Sequence, residues 1–189
     1  MTAFIIGNGL SRKGIDLKLL KGTTYGCNWL YTEFKPDVLV ATDNPISTHI
    51  QSSGYSKQHK FYTRKVYAGS GALKLRPQFK NWASGPNAVQ LGVSDKHRTI
   101  VLLGFDFGST GATFNNMFAG TQFYKQSNST STYSGNWKTQ IEAIININKN
   151  IEFTIVQGTE TSAIINEFNK LSNVKIISTT KFIDEYVSN

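Results

Sequence analysis

Two carboxylates stand where an acid could do chemistry: Asp43 in Ala-Thr-Asp-Asn and Asp106 in Gly-Phe-Asp-Phe, each just after a short apolar run. At such a strand end a carboxylate could take a proton from an acceptor hydroxyl, or hold a divalent cation beside phosphates. It could equally do no more than fix its own turn, because Asp readily bonds neighbouring backbone amides. The sequence has no Asp-x-Asp pair of the kind that chelates a metal. The single cysteine, Cys27, has no histidine near it in sequence and sits in a stretch that reads as buried, so nucleophilic catalysis by its thiol is not expected. His49, His59 and His97 are too scattered for a zinc centre.

A second chemical signal precedes both acids. Residues 5–11 read Ile-Ile-Gly-Asn-Gly-Leu-Ser, a short apolar strand that runs directly into a glycine-flanked turn. Gly7 and Gly9 let the backbone turn sharply and approach a ligand with no Cβ between them, and Asn8 offers its amide. Ser11 can cap a following helix and leave backbone amides pointing at a phosphate. Arg12 stands where a dinucleotide fingerprint would carry its third glycine, so an ordinary strand-to-helix turn fits the same residues.

These groups need a scaffold, and the apolar runs supply one. Strands are expected at residues 3–6, 24–27, 38–41, 99–103, 152–156 and 174–177, each bounded by turn residues. Helical spacing falls at 84–91, with Ser84 as its cap, and at 137–148, 161–171 and 179–186. The alternation predicts a Rossmann-like α/β three-layer sandwich. Its sheet should be mostly parallel, of about six strands, in one domain spanning residues 1–189. Such a sheet binds ligands beyond the carboxyl ends of its strands, where strand order reverses. The predicted endings there are Gly7-Asn8-Gly9, Cys27-Asn28-Trp29, Thr42-Asp43-Asn44 and Gly104-Phe105-Asp106-Phe107.

Charge is unevenly distributed. The net formal charge is +8, and no acid occurs between Asp43 and Asp95. That interval carries Lys57, Lys60, Arg64, Lys65, Lys74, Arg76 and Lys80, interleaved with Tyr55, Phe61, Tyr62, Tyr67, Phe79 and Trp82. Residues 55–82 could therefore track a nucleic-acid backbone, surround a nucleotide's phosphates, or form a solvated basic face with its rings turned inward. Residues 108–136 differ again, being rich in Ser, Thr, Asn and Gly but dotted with aromatic residues. A long polar segment of this kind reads as a lid or substrate-binding wall, with Asn115, Asn116, Tyr124 and Tyr133 as its contacts; a packed insertion or oligomer contact is the alternative. No apolar run is long enough to cross a bilayer and no signal-type start is present, so a cytoplasmic protein is expected.

The order Ile-Ile-Gly-Asn-Gly, then Ile15-Asp16-Leu17-Lys18-Leu19-Leu20, then Gly26-Cys27-Asn28 resembles the N-terminal half of bacterial lipooligosaccharide sialyltransferases. Ala83-Ser84-Gly85 and Leu102-Leu103-Gly104-Phe105-Asp106-Phe107 resemble that family's second half. The pattern is shared with Rossmann-like proteins typified by an archaeal pterin pyrophosphokinase. The Asn-Asn-Met-Phe-Ala-Gly loop is also similar to uncharacterised proteins encoded by marine bacteriophages, for which the compartment would be the host cytoplasm. The resemblance implies that Asn8, Asn28 and Ser84, with Gly85 beside it, hold a cytidine nucleotide-sugar. Two departures stand out. Gly108 replaces the tyrosine expected after the Asp-Phe pair, and nothing beyond His97 is a histidine, so that family's general base has no counterpart.

Together these readings predict a nucleotide-dependent transferase of glycosyltransferase type. Asn8, Gly7, Gly9, Ser11, Asn28, Ser84 and Gly85 would hold the nucleotide-sugar donor. Arg12, Lys13, Arg64 and Lys65 would neutralise phosphates or contact nucleic acid, and Asp106 or Asp43 would do the proton transfer, with or without a divalent metal. The alternatives are a non-catalytic phage-encoded nucleotide- or nucleic-acid-binding protein on the same scaffold, and a homo-oligomeric structural component.

Overall fold

The computed structural model describes residues 1–77, 81–108, 110–131 and 135–188. Eight strands form one sheet: β1 (Thr2–Ile6), β2 (Thr23–Cys27), β3 (Val38–Val40), β4 (Lys60–Thr63), β5 (Leu73–Lys74), β6 (Thr99–Leu103), β7 (Glu152–Gln157) and β8 (Val174–Ser178). The order across the sheet is β5-β4-β3-β2-β1-β6-β7-β8, and every pairing is parallel. Strand order reverses between β1 and β6. The chain steps outward from β1 in one direction, then returns to pair β6 on its other side, and it is beside such a reversal that ligand crevices of parallel sheets lie.

The expected sheet of about six strands is corrected to eight. The two additions, β4 and β5, come from the basic segment. In β4 the residues alternate as Lys60 out, Phe61 in, Tyr62 half-buried and Thr63 in, and β5 has only two residues. Lysine on an edge strand hides the apolar signal while blunting the edge against further pairing.

Both faces of the sheet are covered because each central strand is apolar on both sides. Ala3 and Ile5 of β1 pack with Ile100 and Leu102 of β6 beneath α3 (Ser84–Ser94) and α4 (Gly135–Ile147), which contribute Ala88, Val89, Ile141, Ile144 and Ile145. The alternate residues Phe4, Ile6, Val101 and Leu103 face the opposite layer, where Phe182 of α5 (Thr179–Tyr186) closes the core. A third cluster joins Leu39 and Phe61 to Ile46 and Ile50 of α1 (Asn44–Ser52), with Tyr55 from α2 (Tyr55–Gln58).

Helix α1 was not among the expected elements, although Asn44-Pro45 places proline in its first turn, where proline is tolerated. The expected helix at 161–171 is a 3₁₀ segment, Ala163–Lys170, capped by the Ser162 hydroxyl accepting from the Ile164 amide. Ser84 is the first residue of α3 rather than its cap, a position held by Ala83. Likewise Ser11 lies inside a 3₁₀ turn, Leu10–Arg12, which starts at Gly9. No helix among the described residues is long and apolar enough to cross a membrane.

Candidate functional site

The endings of β1 and β6 are drawn together by backbone hydrogen bonds. Gly7 N donates to Leu103 O at 2.7 Å, and Gly9 N donates to Gly104 O at 2.9 Å. The approach is so close that a Cβ on Gly7 would lie 2.5 Å from Gly104 O, and one on Gly9 would collide with the Asp106 carboxylate. Gly104 itself sits at φ +66°, open to glycine at little cost. The glycines of the turn are therefore required by the contact between two strands.

Above this junction lies a cavity of about 330 Å³. It is lined by Gly7, Asn8 and Gly9 from the end of β1, Asn28 after β2, Asp43 after β3, Ser84 and Gly85 at the start of α3, and Asp106 after β6. Asn115, Asn116 and Tyr124 reach it from the long polar segment. A smaller cavity of about 100 Å³ adjoins it, sharing Asn28, Asp43, Phe123 and Tyr124 and adding Pro45 and Ile46.

The polar groups of this cleft hold one another. Asn28 adopts φ +53°, a left-handed conformation that Asn tolerates better than most residues. That turn aims its Oδ1 at the Ser84 hydroxyl, which donates to it at 2.9 Å. The Ser84 oxygen accepts from the Thr42 amide at 3.0 Å and lies 3.0 Å from the Thr42 hydroxyl, so the ends of β2, β3 and α3 share one network. Asn8 donates from Nδ2 to Cys27 O at 3.1 Å, while its Oδ1 is buried with no hydrogen-bond partner. The Tyr124 hydroxyl is also buried without a well-formed hydrogen bond. Burial pushes its pKa up to about 12, opposed by the nearby Trp29 backbone and the side chains of Asn8 and Asn28.

The structure places the expected site residues as follows. Asp106 is 4% exposed and its carboxylate is fully engaged: Oδ2 accepts from the Ser11 amide at 3.1 Å and Oδ1 accepts from the Thr161 hydroxyl at 3.1 Å. It clasps the Gly-Asn-Gly turn to the loop after β7 while lining the cavity. Asp43 differs. It is exposed at the N-cap of α1 without accepting a capping hydrogen bond, so its carboxylate remains open to the cleft. Ser11 is buried and does not line the cavity.

None of the four expected phosphate cations lines the cavity. Arg12 is buried beneath the turn, where Nε donates to Gly7 O at 2.8 Å, the guanidinium pairs with Glu33 at 3.1 Å, and its plane lies over the Phe118 ring. An arginine at the third-glycine position thus braces the turn from below. Lys13 is exposed outside the cleft. Arg64 donates to Trp82 O at 2.8 Å, and Lys65 lies over the Tyr67 ring. In the same segment Tyr55 and Phe61 are core residues and Lys60 covers Tyr62, so those rings are occupied. Phe79 and Lys80 lie outside the described residues, as does Tyr133.

Residues 112–131 fold back as a flap. Thr113 bridges Thr130, and the amides of Phe114 and Ser131 donate to Ser129 O and Ala112 O. The flap is fastened to the glycine turn: Met117 N donates to Asn8 O at 2.7 Å, and Asn115 accepts from Leu10 N at 2.8 Å while donating to Glu160 O at 3.0 Å. Asn116 accepts from its own neighbour Phe118 N. The two asparagines therefore shape the wall.

Lys125 and Trp137, not expected at the site, line the cleft together with Phe114 and Phe123, two of the aromatic residues behind the reading of a lid or wall. Their signal was present as the aromatic enrichment of the polar segment, but the fold-back that aims them was not. Cys27 lines the floor too, with burial pushing its thiol up to about 12 against the lowering influence of Arg12, so it carries no thiolate at neutral pH. No cluster of His, Cys, Asp and Glu suited to a metal ion occurs among the described residues.

A parallel sheet covered by helices on both faces, with its cleft where strand order reverses, defines a Rossmann-like α/β protein. The same fold is found in the sialyltransferase CST-II, solved as a variant in complex with CMP; the match covers 100% of both chains at 14% identity and a TM-score of 0.59. A structure of the sialyltransferase CstII from Campylobacter jejuni, in complex with the substrate analogue cytidine-5'-monophosphate, matches 82% of this chain and 78% of that one at 15% identity and a TM-score of 0.44. At such identities the likeness of the first of these establishes the fold. No family model matches the chain, and no curated protein matches its sequence.

Proposed function

We propose that the cleft binds a nucleotide-sugar and that the protein transfers its glycosyl group to an acceptor hydroxyl. The observation that carries this reading is the meeting of Asn8, Asn28 and Ser84, from three separate strand and helix ends, in one cavity at the reversal of strand order. Support comes from the fold shared with a sialyltransferase solved with CMP. In this reading Asn8 and Asn28 contact the base and ribose. The first-turn amides of α3, beginning at Ser84 and Gly85, face the phosphate, a placement favoured by their unpaired N–H groups and the helix dipole.

Transfer to a hydroxyl needs a proton acceptor, and Asp43 is the exposed carboxylate of the cleft. It also borders the smaller cavity, which an acceptor would enter. A divalent cation, where one is used, would find the same carboxylate beside the phosphates. The aromatic flap keeps water from the reacting centre.

Titration calorimetry with CMP-, CDP-, UDP- and GDP-sugars tests the binding step. Binding of one of them with a Kd below 1 mM is the expected result, and failure of all four refutes the reading. A second reading, nucleotide binding without transfer, draws on the engagement of Asp106, which leaves a single open carboxylate. Donor turnover lost in Asp43→Asn while donor affinity is retained favours transfer; absence of turnover in the unaltered protein favours binding alone.

A further inference from the structure

We infer that Lys125, carried by the flap, is the residue that neutralises the phosphate of the bound nucleotide, and that Arg12, Lys13, Arg64 and Lys65 take no part. The inference rests on the nucleotide reading above and adds to it a phosphate-recognition residue. A phosphate enters the cleft with at least one negative charge, and partly desolvating that charge without a cation or several amides is costly. Among the described lining residues Lys125 is the sole cation. Among the described residues, Arg12 is bound to Gly7 O and Glu33, Arg64 to Trp82 O, and Lys65 lies over Tyr67, while Lys13, Lys57, Lys60, Lys74 and Arg76 do not line the cleft.

The flap also holds Lys125 in place. Its carbonyl accepts from Gly120 N at 2.8 Å across a turn in which Gly120 sits at φ +80°, and the preceding Tyr124 N donates to Thr121 O at 3.0 Å. The Tyr124 ring packs near Phe114 and Phe118, at centroid distances of 6.4 and 6.2 Å. Backbone and ring anchor the turn while the lysine side chain stays exposed at the cleft. A flexible ammonium on a fixed turn can follow a phosphate as a point charge, which suits a leaving group whose negative charge grows as the glycosyl bond breaks.

The test compares CMP with cytidine, and UMP with uridine, by titration calorimetry on the unaltered protein, Lys125→Ala and Lys125→Arg. Because Lys125 is exposed and its structural bond uses the backbone, Lys125→Ala should keep the unaltered melting temperature. The expected result is an affinity for CMP or UMP lowered about tenfold or more in Lys125→Ala and largely restored in Lys125→Arg, with nucleoside affinity unchanged. An unchanged nucleotide affinity in Lys125→Ala, or an equal loss for nucleotide and nucleoside, overturns the role of Lys125 while leaving the nucleotide site standing. If the unaltered protein binds neither nucleotide nor nucleoside, the nucleotide reading falls, and this inference with it.

Discussion

Replacement of Asp106 separates a structural clasp from a catalytic acid. In Asp106→Ala the Ser11 amide and the Thr161 hydroxyl both lose an ionised acceptor inside a site that is almost closed to water. A hydrogen bond to a charged group is worth about 1.5–3 kcal/mol, so losing both costs about 3–5 kcal/mol once partial relaxation is allowed. In a domain of this size each kcal/mol moves Tm by about 2–4 °C, which gives a fall of about 6–20 °C. Asp106→Asn keeps one acceptor for Ser11 and turns its amine toward Thr161, whose oxygen already accepts from Gly158 N at 3.0 Å. That variant should lose about 1–2 kcal/mol, seen as a smaller fall in Tm. Differential scanning calorimetry and urea unfolding report both values. An Asp106→Ala variant with unaltered Tm, or an Asp106→Asn variant of full stability but no turnover, refutes the clasp and returns Asp106 to the list of reacting groups.

Gly7→Ala should destabilise by about 2–3 kcal/mol, measured by urea unfolding, because its Cβ would press on Gly104 O and neither backbone can yield without parting β1 from β6. Lys13→Ala and Lys65→Ala should leave CMP affinity within about twofold in calorimetry, since neither residue lines the cleft. Stability should be level through neutral pH and decline between about pH 9 and 12. Burial lifts Cys27, Tyr55 and Tyr124 to about 12 from ordinary values of 9.0 for the thiol and 10.0 for the hydroxyls. In that window the unfolded chain loses these protons first, so rising pH favours unfolding, and the urea midpoint at pH 7, 9 and 10.5 checks the sign.

The sequence alone determined the alternation of strand and helix. Continuous apolar runs such as Phe4-Ile5-Ile6 and Ile100-Val101-Leu102-Leu103 announce strands buried on both faces whatever their neighbours are. It also placed Asn8, Asn28, Asp43 and Ser84 at element ends, because turn chemistry is written locally. Strands β4 and β5 escaped notice because they are short, with Lys60 and Lys74 interrupting the apolar pattern of a strand next to the edge and of the edge itself. What the tertiary structure decided is where each charge points. Arg12 and Asp106 look alike as site residues in one dimension, yet Arg12 is folded beneath Gly7, whereas Asp106 reaches the cleft with its carboxylate held by Ser11 and Thr161. Lys125 looks like a solvated lysine in a polar loop, yet the flap's fold-back sets it in the cleft. Residue type and spacing fix local conformation, whereas a side chain's direction depends on contacts between segments set apart in sequence, such as Ser11 and Asp106, 95 residues from one another, and no local pattern encodes them.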